Sequence, residues 1–181
     1  LTNDLIRRGF KVKSIEKLGH QEQFPVTSNW PHLVQELAEF AKQSIQETGE
    51  TPFMVGHSLG GLLSLMCASK HPKLCAGVVL LDSPVIGGWK ASALQLAKKT
   101  NWIGAVSPGR ISQSRRQHWP DVEAVIAHFQ HKRAFSHWHP EVLQDYVQHG
   151  TREEDGQRVL SFDRDIETQI YNTIPHNLSS L

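Results

Sequence analysis

Two short apolar runs stand out from an otherwise mixed chain: Pro52-Phe53-Met54-Val55-Gly56-His57 and Cys75-Ala76-Gly77-Val78-Val79-Leu80-Leu81-Asp82. Each is short and bounded by turn residues, which predicts strands buried on both faces. Upstream, Phe10-Lys11-Val12-Lys13-Ser14-Ile15 alternates apolar and polar positions and also predicts a strand. Leu33, Leu37, Phe40, Ala41 and Ile45 recur at helical spacing, predicting a helix from about Trp30 to Glu47. Ser28 or Asn29 would cap its start, Pro31 fits its first turn and Gly49 ends it. Leu1 to Arg8 reads as the end of a helix stopped by Gly9. A further helix is expected over Gly61 to Lys70, with Leu62, Leu65 and Met66 inward and His71-Pro72 closing it. Strand, helix, strand, helix, strand in this order requires crossovers, hence parallel pairing in a layered α/β sheet.

After Pro84 the texture changes. Residues from about Val85 to Gly156 are rich in His, Trp, Arg and Gln. Helical patterns fall near Lys90–Lys99, Asp121–Lys132 and Pro140–His149, a short strand starts at Gln157, and a last helical turn lies near Glu167–Asn172. No repeat or low-complexity tract interrupts the segment, so it reads as a helical insertion on the sheet. The chain thus divides into a core over 1–84, an insertion over 85–175 and a return toward the core over 176–181.

Composition narrows the partners. The net charge of +1 over 181 residues gives no strong field for nucleic acid or an anionic membrane. No apolar run approaches a membrane span, and Leu1 to Phe10 is too polar for a signal peptide. Cys67 and Cys75 are too few for a disulfide scaffold and read as buried thiols of a reducing, cytoplasmic compartment. The chain begins at Leu1 without an initiator methionine, which suggests a start inside a longer protein. His128, His131, His137 and His139 have spacings that could share a metal. No cysteine accompanies them and carboxylates nearby are sparse, so surface or pocket histidines are the better reading, and neither metal nor cofactor is expected.

The candidate chemistry sits between the first apolar run and the helix after it. Gly56-His57-Ser58-Leu59-Gly60-Gly61 places a serine on a sharp strand-to-helix turn, where small neighbours let strand and helix approach. Gly56 and Gly60 are expected to provide that room, with Gly61 adding more. The Ser58 hydroxyl would stand at the carboxyl end of the sheet and the helix N-terminus would favour negative charge there. The backbone N–H of Leu59 would donate to an oxyanion.

These residues resemble the nucleophile elbow of the α/β-hydrolase superfamily. "VGHSLGGLLSL" followed by "VVLLDSP" carries the likeness, and "RRGFKVKSIEKLGH" and "NWPHLVQELAEFAKQ" are similar to the strand, loop and helix preceding the elbow. The resemblance implies a partial α/β-hydrolase sheet showing its central strands, with residues 85 to about 175 in the place of the helical cap over an apolar substrate pocket. It implies Ser58 as nucleophile, with a histidine as base oriented by an acid. The substrate would be a small acyl compound, most simply a carboxylic ester, hydrolysed through an acyl-serine. Trp102, Trp119, Phe129, Phe135 and Trp138 either line the acyl pocket or pack the cap, and both readings stand.

Asp82 lies 24 residues after Ser58, at the end of a strand where some family members carry the triad acid. The alternative is an Asp-Ser-Pro turn capped by its own carboxylate. The family's histidine follows the last strand, and no histidine here does so: His57 is expected to pack on the other side of the turn, and His176 lies in a terminal loop. The loop supplying the second oxyanion donor is not found before Leu1 either. The resemblance therefore implies a fragment, marginally stable with exposed sheet edges and inactive alone, of an esterase-like parent. The second function carried is a non-catalytic member of the same fold that binds a ligand or partner. Oligomeric state stays open.

Overall fold

The computed structural model describes residues 2–83 and 109–175. They fall into two compact units, Leu1–Trp102 with Thr173–Leu181, and Ile103–Asn172. The helix expected near Lys90–Lys99 and the side chains of Trp102 and His176 lie outside the described residues.

The first unit holds α1 (Thr2–Arg7), α2 (Pro31–Thr48), β1 (Phe53–His57), α3 (Leu59–Lys70), a 3-10 turn (Pro72–Leu74) and β2 (Gly77–Leu81). β1 and β2 pair in parallel, from Phe53 opposite Gly77 to His57 opposite Leu81. A parallel pair needs a crossover, and α3 provides it. The core is Trp30, Leu33, Val34, Ala38, Ala41, Met54, Leu62, Leu63, Met66 and Cys67, all buried between α2, α3 and one face of the sheet.

Four expectations are corrected. β1 and β2 are not buried on both faces: Phe53, Val55, Val79 and Leu81 share a face and are 69%, 50%, 43% and 39% exposed. α3 packs on the sheet, and Met54 and Gly56 on the opposite face are buried, although Leu80 on that face is 40% exposed. Phe10–Ile15 forms no strand. Alternation is not enough for a strand, which needs a partner ladder. Lys11 and Lys13 instead reach Glu50 and Glu47 around the end of α2.

The α2 cap is neither Ser28 nor Asn29 but Trp30, held at φ 59 with no side-chain capping bond and with its ring buried. Its N-terminal turn is therefore fixed by packing, and by the Trp30 indole N–H donating to Thr173 Oγ1 at 3.0 Å. Finally, the buried stripe of α2 is rotated from the expected one. Val34, Glu36 and Ala38 are buried, whereas Leu37, Phe40 and Ile45 are half-buried. The stops are as expected: Gly9 and Gly49 are left-handed, and the Gly49 N–H closes α2 on the Ile45 carbonyl at 2.8 Å.

The second unit holds α4 (Gly109–Gln113), β3 (His118–Trp119), α5 (Val122–Gln130), α6 (Pro140–Gly150), β4 (Thr151–Glu154), β5 (Gln157–Leu160) and α7 (Arg164–Asn172). The strands form a small antiparallel sheet in the order β3-β5-β4. Asp155 and Gly156, at φ 50 and 73, make the two-residue hairpin turn between β4 and β5. Asp121 caps α5 by accepting from the Ala124 N–H at 2.7 Å. The core is Trp119, Val125, Phe129, Leu143 and Val147, against which Phe135 and Tyr146 pack. Arg115 holds α7 through both carboxylate oxygens of Glu167 at 2.9 Å.

Candidate active site

Ser58 stands between the last residue of β1 and the first of α3, at φ 51 and ψ −115. An L-residue adopts this conformation only under compulsion, and here the neighbours supply it. A methyl on Gly56 would overlap the Gly60 carbonyl group and the Gly61 nitrogen. These are backbone atoms that cannot swing aside, so strand and helix meet only because Gly56 lacks a side chain. Gly60 does not share this role, as nothing described lies within 4 Å of where its Cβ would be; Gly61 takes it instead, packed against Ser83 and the Gly56 carbonyl.

The serine's surroundings suit a nucleophile. Ser58 is exposed, and its hydroxyl makes no capping bond to α3. The first intrahelical bonds run from the Gly61 and Leu62 N–H groups to the Ser58 carbonyl, at 3.2 and 3.3 Å. The Leu59 and Gly60 N–H groups precede that ladder and lie at the positive end of α3. An oxyanion formed beside Ser58 would meet them. Ser64 Oγ donates to the Gly60 carbonyl at 2.7 Å, bracing the same turn.

Asp82 follows β2 as Ser58 follows β1. Because His57 pairs with Leu81, the two residues stand side by side at the carboxyl ends of adjacent strands. The Ser58 N–H donates to the Leu81 carbonyl at 3.0 Å. Asp82 is exposed and at φ 44. The Ser83 hydroxyl donates to the same Leu81 carbonyl at 3.2 Å.

The remaining candidates sort by location. His57 is exposed beside Ser58, and among the described residues no histidine hydrogen-bonds the Ser58 hydroxyl. His128 lies in the aromatic core of the second unit, its ring edge-on to Trp119 at 5.4 Å and to Phe129 at 4.9 Å. Burial, then Lys132 and Arg116, lower its pKa. Among the described residues no group of three metal-ligating side chains exists, so His128, His131, His137 and His139 do not converge. Trp119 and Phe129 are buried, Phe135 is half-buried and Trp138 is exposed, and their rings stack with Tyr146 into one cluster.

Cys67 is buried and its thiol pKa is pushed up to about 11, mainly by desolvation, which disfavours the thiolate. A cleft of about 710 Å³ lies away from Ser58, between residues 14–24 and α2. Glu36 lines it, buried and accepting from the Gly19 N–H at 2.8 Å and Gln21 Nε2 at 3.2 Å, with its pKa raised by burial. No reading of the sequence had singled out Glu36, since a glutamate within an amphipathic helix carries no sign of its burial. Among the described residues no helix is long and apolar enough to cross a membrane.

No curated protein matches the chain. Solved structures that share its fold include the following three. E-2-(acetamidomethylene)succinate hydrolase aligns with a TM-score of 0.61 at 19% identity, over 86% of this chain and 52% of its own. The peroxisomal α/β-hydrolase Lpx1 of Saccharomyces cerevisiae gives 0.59 at 14%, over 86% and 42%. The esterase Rv0045c of M. tuberculosis gives 0.53 at 26%, over 90% and 50%. The chain spans about half the length of these structures. The family model described as serine aminopeptidase, S33 (Hydrolase_4) matches residues 1–151, most of the sequence. With the parallel β1–α3–β2 unit and its strained serine turn, the chain therefore belongs to this hydrolase family of the α/β-hydrolase superfamily.

Proposed function

We propose that Ser58 is the nucleophile of a serine hydrolase that cleaves small carboxylic esters through an acyl-serine intermediate. The observation that carries this is the forced backbone of Ser58 at the β1–α3 turn, beside N–H groups outside the helical ladder. Ser58 Oγ attacks the acyl carbon while its proton passes to a histidine base. The carbonyl oxygen becomes an oxyanion facing the Leu59 N–H. Collapse breaks the ester C–O bond, and the histidine returns the proton to the leaving alcohol. Water then attacks the acyl-serine by the same route and releases the acid. Asp82, next to Ser58 at the sheet end, is the acid we assign to orient that histidine.

The esterase named among the structural neighbours supports ester chemistry. The activity proposed is that of the whole protein. Within this reading residues 85–175 act as the cap. The free thiols of Cys67 and Cys75 support a cytoplasmic location.

Hydrolysis of p-nitrophenyl esters by the whole protein, with Ser58→Ala as control, tests the proposal. Equal rates for the two would sink it. That no described histidine bonds the Ser58 hydroxyl also favours a second reading, a non-catalytic ligand-binding member of the fold. Fluorophosphonate labelling separates the two, since only an activated Ser58 reacts quickly.

A further inference from the structure

The carbonyl oxygen of Leu81 accepts two bonds, from the Ser58 N–H at 3.0 Å and from the Ser83 hydroxyl at 3.2 Å. The first ties the backbone of the nucleophile to the last residue of β2. The second folds the chain back over the same strand end. Ser83 then packs on the first turn of α3. A methyl on Gly61 would overlap Ser83 Oγ and stand 2.8 Å from Ser83 Cβ and 2.9 Å from the Gly56 carbonyl oxygen. Between the two Leu81 bonds sits Asp82 at φ 44, a conformation that persists only where the surroundings fix it. The end of β2, the elbow and the start of α3 thus meet at one carbonyl and one hydroxyl.

We propose that Ser83 is a positioning residue for Ser58: wedged between the Leu81 carbonyl and Gly61, it holds the serine turn and the Asp82 turn in fixed register. The inference rests on Ser58 as nucleophile, although the contact itself does not. Ser83 touches no reacting atom. It acts by keeping the Ser58 N–H on Leu81, which sets how far Oγ projects from the sheet and where the Leu59 N–H faces it. Displacement of a reacting atom by a fraction of an ångström lowers the rate of attack more than the affinity for substrate.

The test uses four forms of the whole protein: wild type, Ser83→Gly, Gly61→Ala and the double variant. Ser83→Gly should speed hydrogen exchange of the Ser58 amide by about tenfold, since local opening of the turn is no longer opposed. It should lower kcat for a p-nitrophenyl ester by a similar factor while KM stays, a split that general destabilisation does not produce. Gly61→Ala should be the worst single variant. Ser83→Gly should partly rescue it, in unfolding midpoint and in kcat, because the overlap at Ser83 is relieved while the Gly56 carbonyl contact remains. Unchanged Ser58 exchange in Ser83→Gly, or additive effects in the double variant, overturns the proposal. If wild type hydrolyses ester no faster than Ser58→Ala, the esterase reading fails, and exchange and additivity still decide the role of Ser83 in fixing the turn.

Discussion

Replacing Ser58 by glycine should stabilise the protein relative to replacing it by alanine. Both changes remove the hydroxyl, and that hydroxyl makes no cap bond to α3, so the difference reports the backbone alone. At φ 51 and ψ −115 a residue with a Cβ is strained, at a cost of ~1–3 kcal/mol. Glycine adopts this conformation without strain but loses ~0.5–1 kcal/mol more chain entropy on folding. The net gain of Ser58→Gly over Ser58→Ala is therefore on the order of 1 kcal/mol, or ~2–4 °C in midpoint for a chain of this size. Thermal unfolding followed by circular dichroism, with urea melts for the free energies, measures it. A Ser58→Gly protein melting at or below Ser58→Ala would mean the turn is unstrained, and the argument for a compelled nucleophile would fail.

The pH dependence of the second unit should report His128. Its folded pKa is depressed by burial and by Lys132 and Arg116, so protonation favours the unfolded chain. Stability is then full above the ordinary histidine value and falls as pH drops from that value toward the lower folded pKa; His128→Gln should flatten this part of a pH–stability curve. Glu36 has the opposite profile for a carboxyl: its folded pKa is raised, mainly by burial, so its ionisation weakens the fold as pH rises through the carboxylate range. Glu36→Gln should match wild type at low pH and be more stable near neutrality, and no gain at neutrality would contradict the burial argument. Phe129→Ala, removing the ring at the centre of the Trp119–Phe135–Tyr146 cluster, should cost about 3–5 kcal/mol in denaturant melts. Val55→Thr with Val79→Thr, a directly opposed and exposed pair, should change stability by no more than about 0.5 kcal/mol per site and reduce light scattering from self-association. A larger loss would mean that something covers that face.

What could be read from the sequence follows the strength of local signals. The β1–turn–α3–β2 order was legible because a short apolar run, a glycine-flanked serine and a second apolar run each point to one structure. Burial was not. A continuous apolar run such as Val78-Val79-Leu80-Leu81 fits a strand covered on both faces, and nothing local reveals that its outer face stays open. Phe10–Ile15 has the alternation of a strand, and a ladder partner is a tertiary property. Trp30 displaced Ser28 and Asn29 from the cap because burying an indole outweighed a side-chain capping bond.

At the site, the motif placed Ser58 at the β1–α3 turn and Gly56 at the close approach of strand and helix. Of Gly60 and Gly61, both expected to give room, only Gly61 makes the close approach, since only coordinates show which Cβ direction faces Ser83. The β4–β5 hairpin had a usable sign in Asp155-Gly156, whose left-handed pair makes the tight turn, yet only its second strand was anticipated. Ser83 carried no sign at all, because its role arises from contacts across the ends of two strands.

The account stands most directly on whether Ser58 takes an acyl group. The whole protein, mixed with a p-nitrophenyl ester, quenched in acid and digested with trypsin, gives the peptide Gln43–Lys70 for mass analysis. The account predicts one acyl mass increment, localised by fragmentation to Ser58 and absent from Ser58→Ala. An increment that persists in Ser58→Ala, or ester turnover with the acyl group on another residue, would contradict it.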